Sequence, residues 1–304
     1  MMGFYPEGLC FSDKTVKRYT EESLREAMRE QELLEATAYM CDSRHNLLVN
    51  LGCMKGIIPR EEGAIGIADG TTRDIALISR VGKAVCFTVE DITTDDKGKK
   101  YAVLSRRKAQ ERCRDEKLLK LNIGDVIDAR ITHIESFGAF CDIGCGNIAL
   151  LPIDSISVSR ISSPFDRFKT GDDIRVVIKS VDTAGRITLS HKELLGTWQQ
   201  NADKYAQGQT VSGIVRSIES YGIFVELAPN LAGLAELKDG ISVGQGVGVY
   251  IKSIIPEKMK VKLIIIDSFD APEPMPEEYF FDGDHIDSFL YSPPLASKTV
   301  ETIF

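Results

Sequence analysis

Short runs of alternating apolar and polar residues, broken by glycine, recur along the chain. In the segment GAFCDIG, the alternation sends Ala139, Cys141 and Ile143 to one side of a strand. Phe140 and Asp142 fall on the other side. β-Branched residues fill such runs and glycine ends them, a pattern typical of short antiparallel strands. We expect the first side to face a core, and Phe140 and Asp142 to face water, as do Phe224 and Glu226 in a matching segment.

The chain contains an internal repeat. GDVIDARITHIESFGAFCDIG from Gly124 aligns without a gap with GQTVSGIVRSIESYGIFVELA from Gly208. GDDIRVVIKSVD from Gly171 aligns likewise with GQGVGVYIKSII from Gly244. A diverged third copy lies upstream, where HNLLVNLGCMKGIIP from His45 matches CDIGCGNIALLP. Each copy has room for about five strands, so the sequence predicts a mainly β protein of three tandem OB-fold barrels.

Helical segments are predicted around and between the copies. They are SLREAMREQELLEA (23–36), RKAQERCRDEKLLKL (107–121) and HKELLGTWQQNADKY (191–205), with Thr20 as N-cap of the first. The predicted divisions are an N-terminal extension with a helix (1–29), a degenerate barrel (30–107), a basic helical connector (108–119), a second barrel (120–195), a linker (196–205), a third barrel (206–267) and a flexible acidic tail (268–304).

Charge is unevenly distributed along the chain, whose formal net charge is -8. Eight acidic residues and one lysine follow Asp267, whereas residues 99–120 hold nine basic and three acidic residues. The basic stretch is either a solvated helix face or a surface that follows phosphates. The tail is either solvated or, through its negative charges and aromatic rings, able to cover a binding surface of the barrels.

Composition favours a cytoplasmic protein. The seven cysteines are scattered and form no C-x-x-C motif, which argues against a secreted disulfide framework. The apolar stretches are too short to span a bilayer, so we expect no membrane association.

The most informative motif is IESFGAF (134–140), which returns as IESYGIF (218–224). Each copy places one aromatic just before a glycine and a second at an outward strand position. Exposed rings of this kind stack unpaired bases, worth about 1 to 3 kcal/mol per base. A single ring could instead be tucked under a loop, but the recurrence at identical spacing favours nucleic-acid binding.

These motifs resemble the OB-fold RNA-binding repeat named after ribosomal protein S1. The resemblance extends over residues 30–267 and is strongest in the second copy, through GDVIDARITHI, FGAF, ALLPIDSIS and VDTAGRITLSHKE. It implies binding of single-stranded RNA such as mRNA in translation, with the small ribosomal subunit as a candidate partner. The RNA-binding residues that it implies are Phe137, Phe140, Asp182 and Arg186, with His133 and Lys179 at the rim, and Tyr221, Phe224, Arg216, Lys252 and Lys260 in the third copy.

The sequence departs from the family at several positions. Many members carry histidine after the third strand, where this chain has Pro152 and Glu236. The third copy has Ile255 at the position of Asp182. In the first copy, His45 and Leu48 replace the two aromatics, so we expect little or no RNA binding from that barrel.

No catalytic chemistry is evident in the sequence. The Gly82-Lys83 pair lacks the glycine and hydroxyl residue of a phosphate-binding loop, and Cys141 and Cys145 lack a second pair of zinc ligands. The four histidines are scattered and are most simply surface or loop residues. We therefore expect a binding protein without cofactor or metal. The alternatives are an adaptor that docks on the ribosome or another RNA machine, and a regulatory subunit of an RNA-processing enzyme.

Overall fold

Three closed five-stranded barrels make up most of the computed structural model, which describes residues 3–9, 19–270 and 278–304. The first barrel comprises β1 (Leu34–Cys41), β2 (Leu47–Asn50), β3 (Lys55–Ile58), β4 (Ala84–Thr94) and β5 (Lys100–Ser105). The second comprises β6 (Val126–Glu135), β7 (Gly138–Asp142), β8 (Ile148–Pro152), β9 (Asp173–Val181) and β10 (Ile187–Ser190). The third comprises β11 (Thr210–Glu219), β12 (Gly222–Ala228), β13 (Leu231–Ala235), β14 (Gly246–Ile255) and β15 (Lys260–Phe269).

The three barrels share one strand order. The first three strands of each form a meander, the fifth strand lies beside the third, and the fourth lies beside the fifth. In the first and third barrels the third and fifth strands are parallel, and the fourth strand pairs with the first to close the barrel. The predicted OB-fold architecture is thus confirmed.

Strand alternation fills the barrel interiors as predicted. Ala139, Cys141 and Ile143 are buried, as are Ile223 and Val225 at matching positions of the third barrel. Burying these apolar side chains contributes about 25 cal/mol per Å² removed from water, which stabilises each barrel. The same alternation places Phe140 and Phe224 on the outer surface.

Four α-helices accompany the barrels in the described residues: α1 (Glu21–Glu30), α2 (Ile75–Ile78), α3 (Arg106–Glu116) and α4 (Trp198–Ala202). Thr20 caps α1, because its hydroxyl accepts a hydrogen bond from the Ser23 N–H. The prediction that this helix continues to Ala36 is wrong. Leu34 and Ala36 are buried in the first barrel core, and pairing of β1 with β2 and β4 outweighs their helical propensity. None of the described helices has the length and apolar character needed to cross a bilayer.

The chain divides into two compact units. The first consists of residues 1–121, 128–130 and 142–148, and the second of residues 122–127, 131–141 and 149–304. The second unit therefore holds both copies of the aromatic motif.

The chain end is structured where it is described. Residues 278–304 include β16 (Ser288–Leu290), paired with β17 (Glu301–Ile303). Ile286 packs with Val177 and Leu194, and Tyr291 joins the core of the third barrel. This differs from the flexible tail that its acidic composition suggested, because its apolar side chains extend the barrel cores. Residues 271–277 of that tail lie outside the described residues.

Candidate nucleic-acid interface

The two aromatic motifs form ring pairs of the same geometry. In the second barrel, the rings of Phe137 and Phe140 meet edge to face, with centroids 6.1 Å apart and planes at 90°. In the third, Tyr221 and Phe224 meet with centroids 6.1 Å apart and planes at 89°. Phe137 is 54% exposed and Tyr221 is 68% exposed, and both partner rings are partly exposed. An edge-to-face pair leaves ring faces open on which an unpaired base can stack.

The glycine inside each motif is required by a neighbouring strand. A Cβ at Gly138 would lie 2.5 Å from the carbonyl oxygen of Leu151, and one at Gly222 would lie 2.6 Å from that of Ala235. Any other residue would push apart the second and third strands of the barrel. The glycine therefore lets these strands approach directly beside the ring pair.

In the second barrel, an acid and a base meet at the turn between β9 and β10. Asp182 accepts hydrogen bonds from the Arg186 backbone N–H at 2.9 Å and from its Nε at 2.7 Å. The backbone N–H and then the guanidinium lower the pKa of the Asp182 carboxyl. The Arg186 side chain is 84% exposed, so its remaining N–H groups point into solvent where a phosphate can reach them.

The two rim candidates of the second barrel differ in their surroundings. The His133 ring stacks beside Phe140 with centroids 6.2 Å apart, and its Nε2 lies 2.7 Å from Glu135. Lys179 is partly buried and donates from Nζ to the Ser155 hydroxyl at 2.8 Å. The structure therefore brings His133 to the ring pair and ties Lys179 to a neighbouring loop.

The third barrel carries a lysine beside its ring pair that the sequence alignment did not select. Phe224 pairs across the strands with Leu234, and Leu234 with Lys262, so Lys262 lies on the same exposed row as the ring. Aligning the copies had selected Lys260, which is also exposed but lies near the turn, opposite Ile255. The alternation of polar and apolar residues in KVKLIII places both lysines outward. This alternation is the sequence signal that could have identified Lys262.

Other third-barrel candidates lie around this row. The Lys252 side chain is 56% exposed and its Nζ lies 4.0 Å from the Glu236 carboxylate. Glu236 itself is strongly exposed and replaces the histidine found in many family members, so the negative charge there lies next to Lys252.

The candidate Arg216 is not available to RNA. Its side chain is 8% exposed, and its Nε donates to Glu226 at 2.5 Å. Glu226 is fully buried and also accepts from Arg167. The prediction that Glu226 faces water is therefore wrong, and Arg216 is held in a buried ion pair rather than at an exposed position. Alternation does turn Glu226 out of the barrel, but the loop after β8 covers that end of β12.

Asp142 differs from its prediction for the same reason. It is 1% exposed and accepts the Glu7 backbone N–H at 2.7 Å, as well as the N–H groups of Gly144 and Gly146. Burial, and next the nearby Glu7 carboxylate, raise the pKa of Asp142 to about 6. The backbone of the N-terminal segment thus binds the Asp142 carboxylate and keeps it from solvent.

The first barrel presents no aromatic pair at the corresponding positions. Leu48 is 8% exposed on β2, and His45 adopts a left-handed conformation (φ 64°) in the preceding turn. Leu48 pairs with Met40 and Ile57, so this row is aliphatic.

The basic connector is largely engaged in ion pairs. Glu7 and Glu62 are among the acidic partners, and the pairs involve Lys100, Arg106, Arg107, Lys108, Arg112 and Arg114. Arg106 is buried and forms a bidentate ion pair with the Glu7 carboxylate. Arg106 therefore has a structural role, whereas the Lys108 and Arg114 side chains are 48% and 47% exposed on α3, as expected of a solvated helix face. Among the described residues, no group of three or more His, Cys, Asp or Glu side chains is arranged to hold a metal ion.

Comparison with known proteins shows which domains and proteins this chain resembles. The model of the S1 RNA binding domain matches residues 120–192. The small ribosomal subunit protein bS1 of Staphylococcus aureus (strain COL) is 29% identical over 269 residues, which are 83% of this chain and 65% of that protein. The small ribosomal subunit protein bS1 homolog of Bacillus subtilis (strain 168) is 29% identical over 215 residues, 65% of this chain and 55% of that protein. This chain therefore spans 55% to 65% of the length of these relatives.

Among solved structures, a multidomain protein with nucleic acid binding domains from Streptococcus pneumoniae TIGR4 matches 80% of this chain and 76% of its own. The identity is 17% and the TM-score is 0.26. The family match falls on the second barrel, and the third barrel repeats its strand order and ring pair. Residues 120–192 thus match an S1 RNA binding domain, and most of the chain is similar to small ribosomal subunit proteins bS1.

Proposed function

We propose that this chain is a cytoplasmic single-stranded RNA-binding protein that acts in translation or mRNA handling, and that it is not an enzyme. Its ligand would be mRNA, and the small ribosomal subunit would be a partner. The observation that carries the proposal is the ring pair of the second barrel, which the third barrel repeats with the same spacing and angle. The relatives named as small ribosomal subunit proteins support the setting in translation.

The chemistry of binding follows from the exposed groups. Unpaired bases stack on the rings of Phe137 and Tyr221. The bases of a duplex could do so only after unstacking from their neighbours. Exposed cationic side chains of the same barrels then pair with phosphates, Arg186 in the second barrel and Lys262 and Lys252 in the third. His133 adds a polar edge beside Phe140.

A titration of the full chain with labelled oligouridine of about 20 nucleotides tests the proposal. The logarithm of the affinity is expected to fall with the logarithm of salt concentration, at a slope of about -0.7 per phosphate contact. The double variant Phe140→Ala/Phe224→Ala is expected to bind at least tenfold more weakly. The matched control is Tyr39→Ala, which removes an exposed aromatic of the first barrel that belongs to neither ring pair.

Two results would contradict the proposal. One is an unchanged affinity in the double variant, and the other is an equal loss in Tyr39→Ala. Co-sedimentation with ribosomal subunits that survives the loss of both ring pairs would support the protein adaptor instead.

A further inference from the structure

The loop between β8 and β9 lies against the third barrel. The Ser159 N–H donates to the carbonyl oxygen of Pro229 at 3.2 Å, and the Val158 N–H donates to Asn230 Oδ1 at 2.9 Å. The Asn230 amide in turn donates to the Lys192 carbonyl oxygen at 2.7 Å. These bonds join the loop and the end of the second barrel to the turn between β12 and β13.

A buried ion-pair network reinforces this contact. Arg167, from the same loop, donates two hydrogen bonds to the Glu226 carboxylate on β12. Arg216 pairs with the same carboxylate and lies 3.4 Å from Asp166. The Arg167 and Glu226 side chains are 3% and 0% exposed. A buried ion pair of this kind is stable only in good geometry. If the two side chains separate, each charge is left buried with neither its partner nor water.

The described chain end, residues 278–304, forms a strap across both barrels. On the second barrel, the Phe280 N–H donates to the Leu194 carbonyl oxygen at 2.9 Å, and Arg175 donates to the Phe281 carbonyl oxygen at 2.6 Å. On the third barrel, the Tyr291 hydroxyl donates to the Asn230 carbonyl oxygen at 2.6 Å. The strap thus holds the same turn that the β8–β9 loop holds.

The ion-pair network also lies close to a ring. Glu226 is two residues from Phe224 on β12, so both side chains leave the same face of one strand. The Arg167–Glu226 contact therefore holds the strand that presents the third-barrel ring pair. An orientation fixed at Glu226 is transmitted to Phe224 through one stretch of paired β backbone.

We propose that the second and third barrels form one rigid RNA-binding body, in which Arg167, Glu226 and the strap are positioning elements that orient the two ring pairs for a single RNA strand. This inference rests on the proposed RNA-binding function. Rigid placement removes the ordering cost that two loosely linked barrels would incur on binding one strand. The second contact becomes intramolecular, which raises overall affinity by 10²-fold to 10⁴-fold without any new contact.

The test compares the wild-type chain with a joint variant, Arg167→Met/Glu226→Gln/Arg175→Met. The first two substitutions remove both charges of the pair, and Arg216 keeps Asp166 as its partner. The third removes the guanidinium that donates to the strap carbonyl oxygens of Phe281 and Gly283. The matched control is Arg60→Met/Asp74→Asn, which removes a half-exposed ion pair of the first barrel.

Two measurements are made on each chain. Amide ¹⁵N relaxation reports the tumbling time of each barrel, and titrations use oligouridines of about 5 and about 20 nucleotides. In the wild type, the second and third barrels are expected to share one tumbling time, and the long RNA to bind at least about a hundredfold more tightly than the short one. In the joint variant, the tumbling times are expected to separate. Its affinity for the long RNA is expected to fall about tenfold, or about 1.4 kcal/mol, with the short RNA unaffected.

Distinct results overturn the two proposals. Separate tumbling times in the wild type would refute the rigid body without any variant. Equal long-RNA affinities for the joint variant, the control and the wild type would refute the positioning role. Failure of the wild type to bind RNA of either length would refute the proposed function, and with it this inference.

Discussion

Replacing Phe137 with alanine removes a ring that we propose binds RNA and that also contributes to the stability of the fold. A phenylalanine side chain buries about 150 to 250 Å² when fully enclosed, and Phe137 is 54% exposed, so it buries roughly 100 Å². At about 25 cal/mol per Å², and allowing for what alanine still covers, the loss of unfolding free energy is about 1 to 2 kcal/mol. The loss of one stacked base is worth about 1 to 3 kcal/mol, or roughly 5-fold to 150-fold in affinity.

Because these two energies overlap, the assay needs a variant that separates them. Phe137→Leu keeps an apolar side chain against Phe140 but offers no ring face, so it should recover most of the stability and little of the RNA affinity. Urea unfolding measures the first quantity and oligouridine titration the second. Wild-type RNA affinity in Phe137→Leu would refute base stacking on this ring. Wild-type RNA affinity in Phe137→Ala would refute any role of the ring in RNA binding.

Three further outcomes follow from burial and charge. Glu226→Ala should lower the free energy of unfolding by about 3 to 5 kcal/mol in urea, because it leaves buried arginine unpaired, whereas Glu236→Ala, at a strongly exposed position, should change it by less than about 0.5 kcal/mol. Equal effects would contradict the buried network. Burial lowers the pKa of His191 to about 4, so the unfolded chain takes up a proton below its ordinary pKa of 6.5 while the folded chain does not. The contribution of His191 to stability should therefore rise with pH between about 4 and 6.5, and an NMR titration of His191 with a midpoint near 6.5 would contradict this. Leu48→Ala should cost about 2 to 5 kcal/mol of stability and leave RNA affinity unchanged, and a loss of affinity as large as that of Phe224→Ala would show that the first barrel also binds.

The barrels and the ring pairs could be predicted because strand alternation and an internal repeat are local signals. Ala139 and Cys141 were predicted as core residues, and Phe137 was predicted at a turn, from spacing alone. Each of these depends only on residues within one strand or hairpin. The strand order then follows from the resemblance of the motifs to a known repeat.

The chain end could not be predicted from composition. The acidic residues after Asp267 suggested either a solvated tail or one that covers the rings. The described contacts of residues 278–304 instead include Arg175, Leu194 and Asn230, which belong to neither ring pair. His191, predicted as a surface or loop residue, is buried with its Nε2 3.3 Å from the Tyr279 hydroxyl. Composition gives the net charge of such a segment. Where the segment packs is determined by its few apolar side chains.

Asp142 and Glu226 show where strand alternation stops being informative. Alternation states which side of a strand a residue leaves, and in both cases it was right, since neither side chain enters its barrel. It does not state what lies outside the barrel. The N-terminal segment covers Asp142 through the Glu7 N–H, and the β8–β9 loop covers Glu226 through Arg167. A carboxylate at this position therefore receives donors from a segment earlier in the chain in both barrels. Because each carboxylate lies two residues after a partly exposed ring, one strand carries a proposed RNA-binding ring at one position and a packed carboxylate at the next outward position.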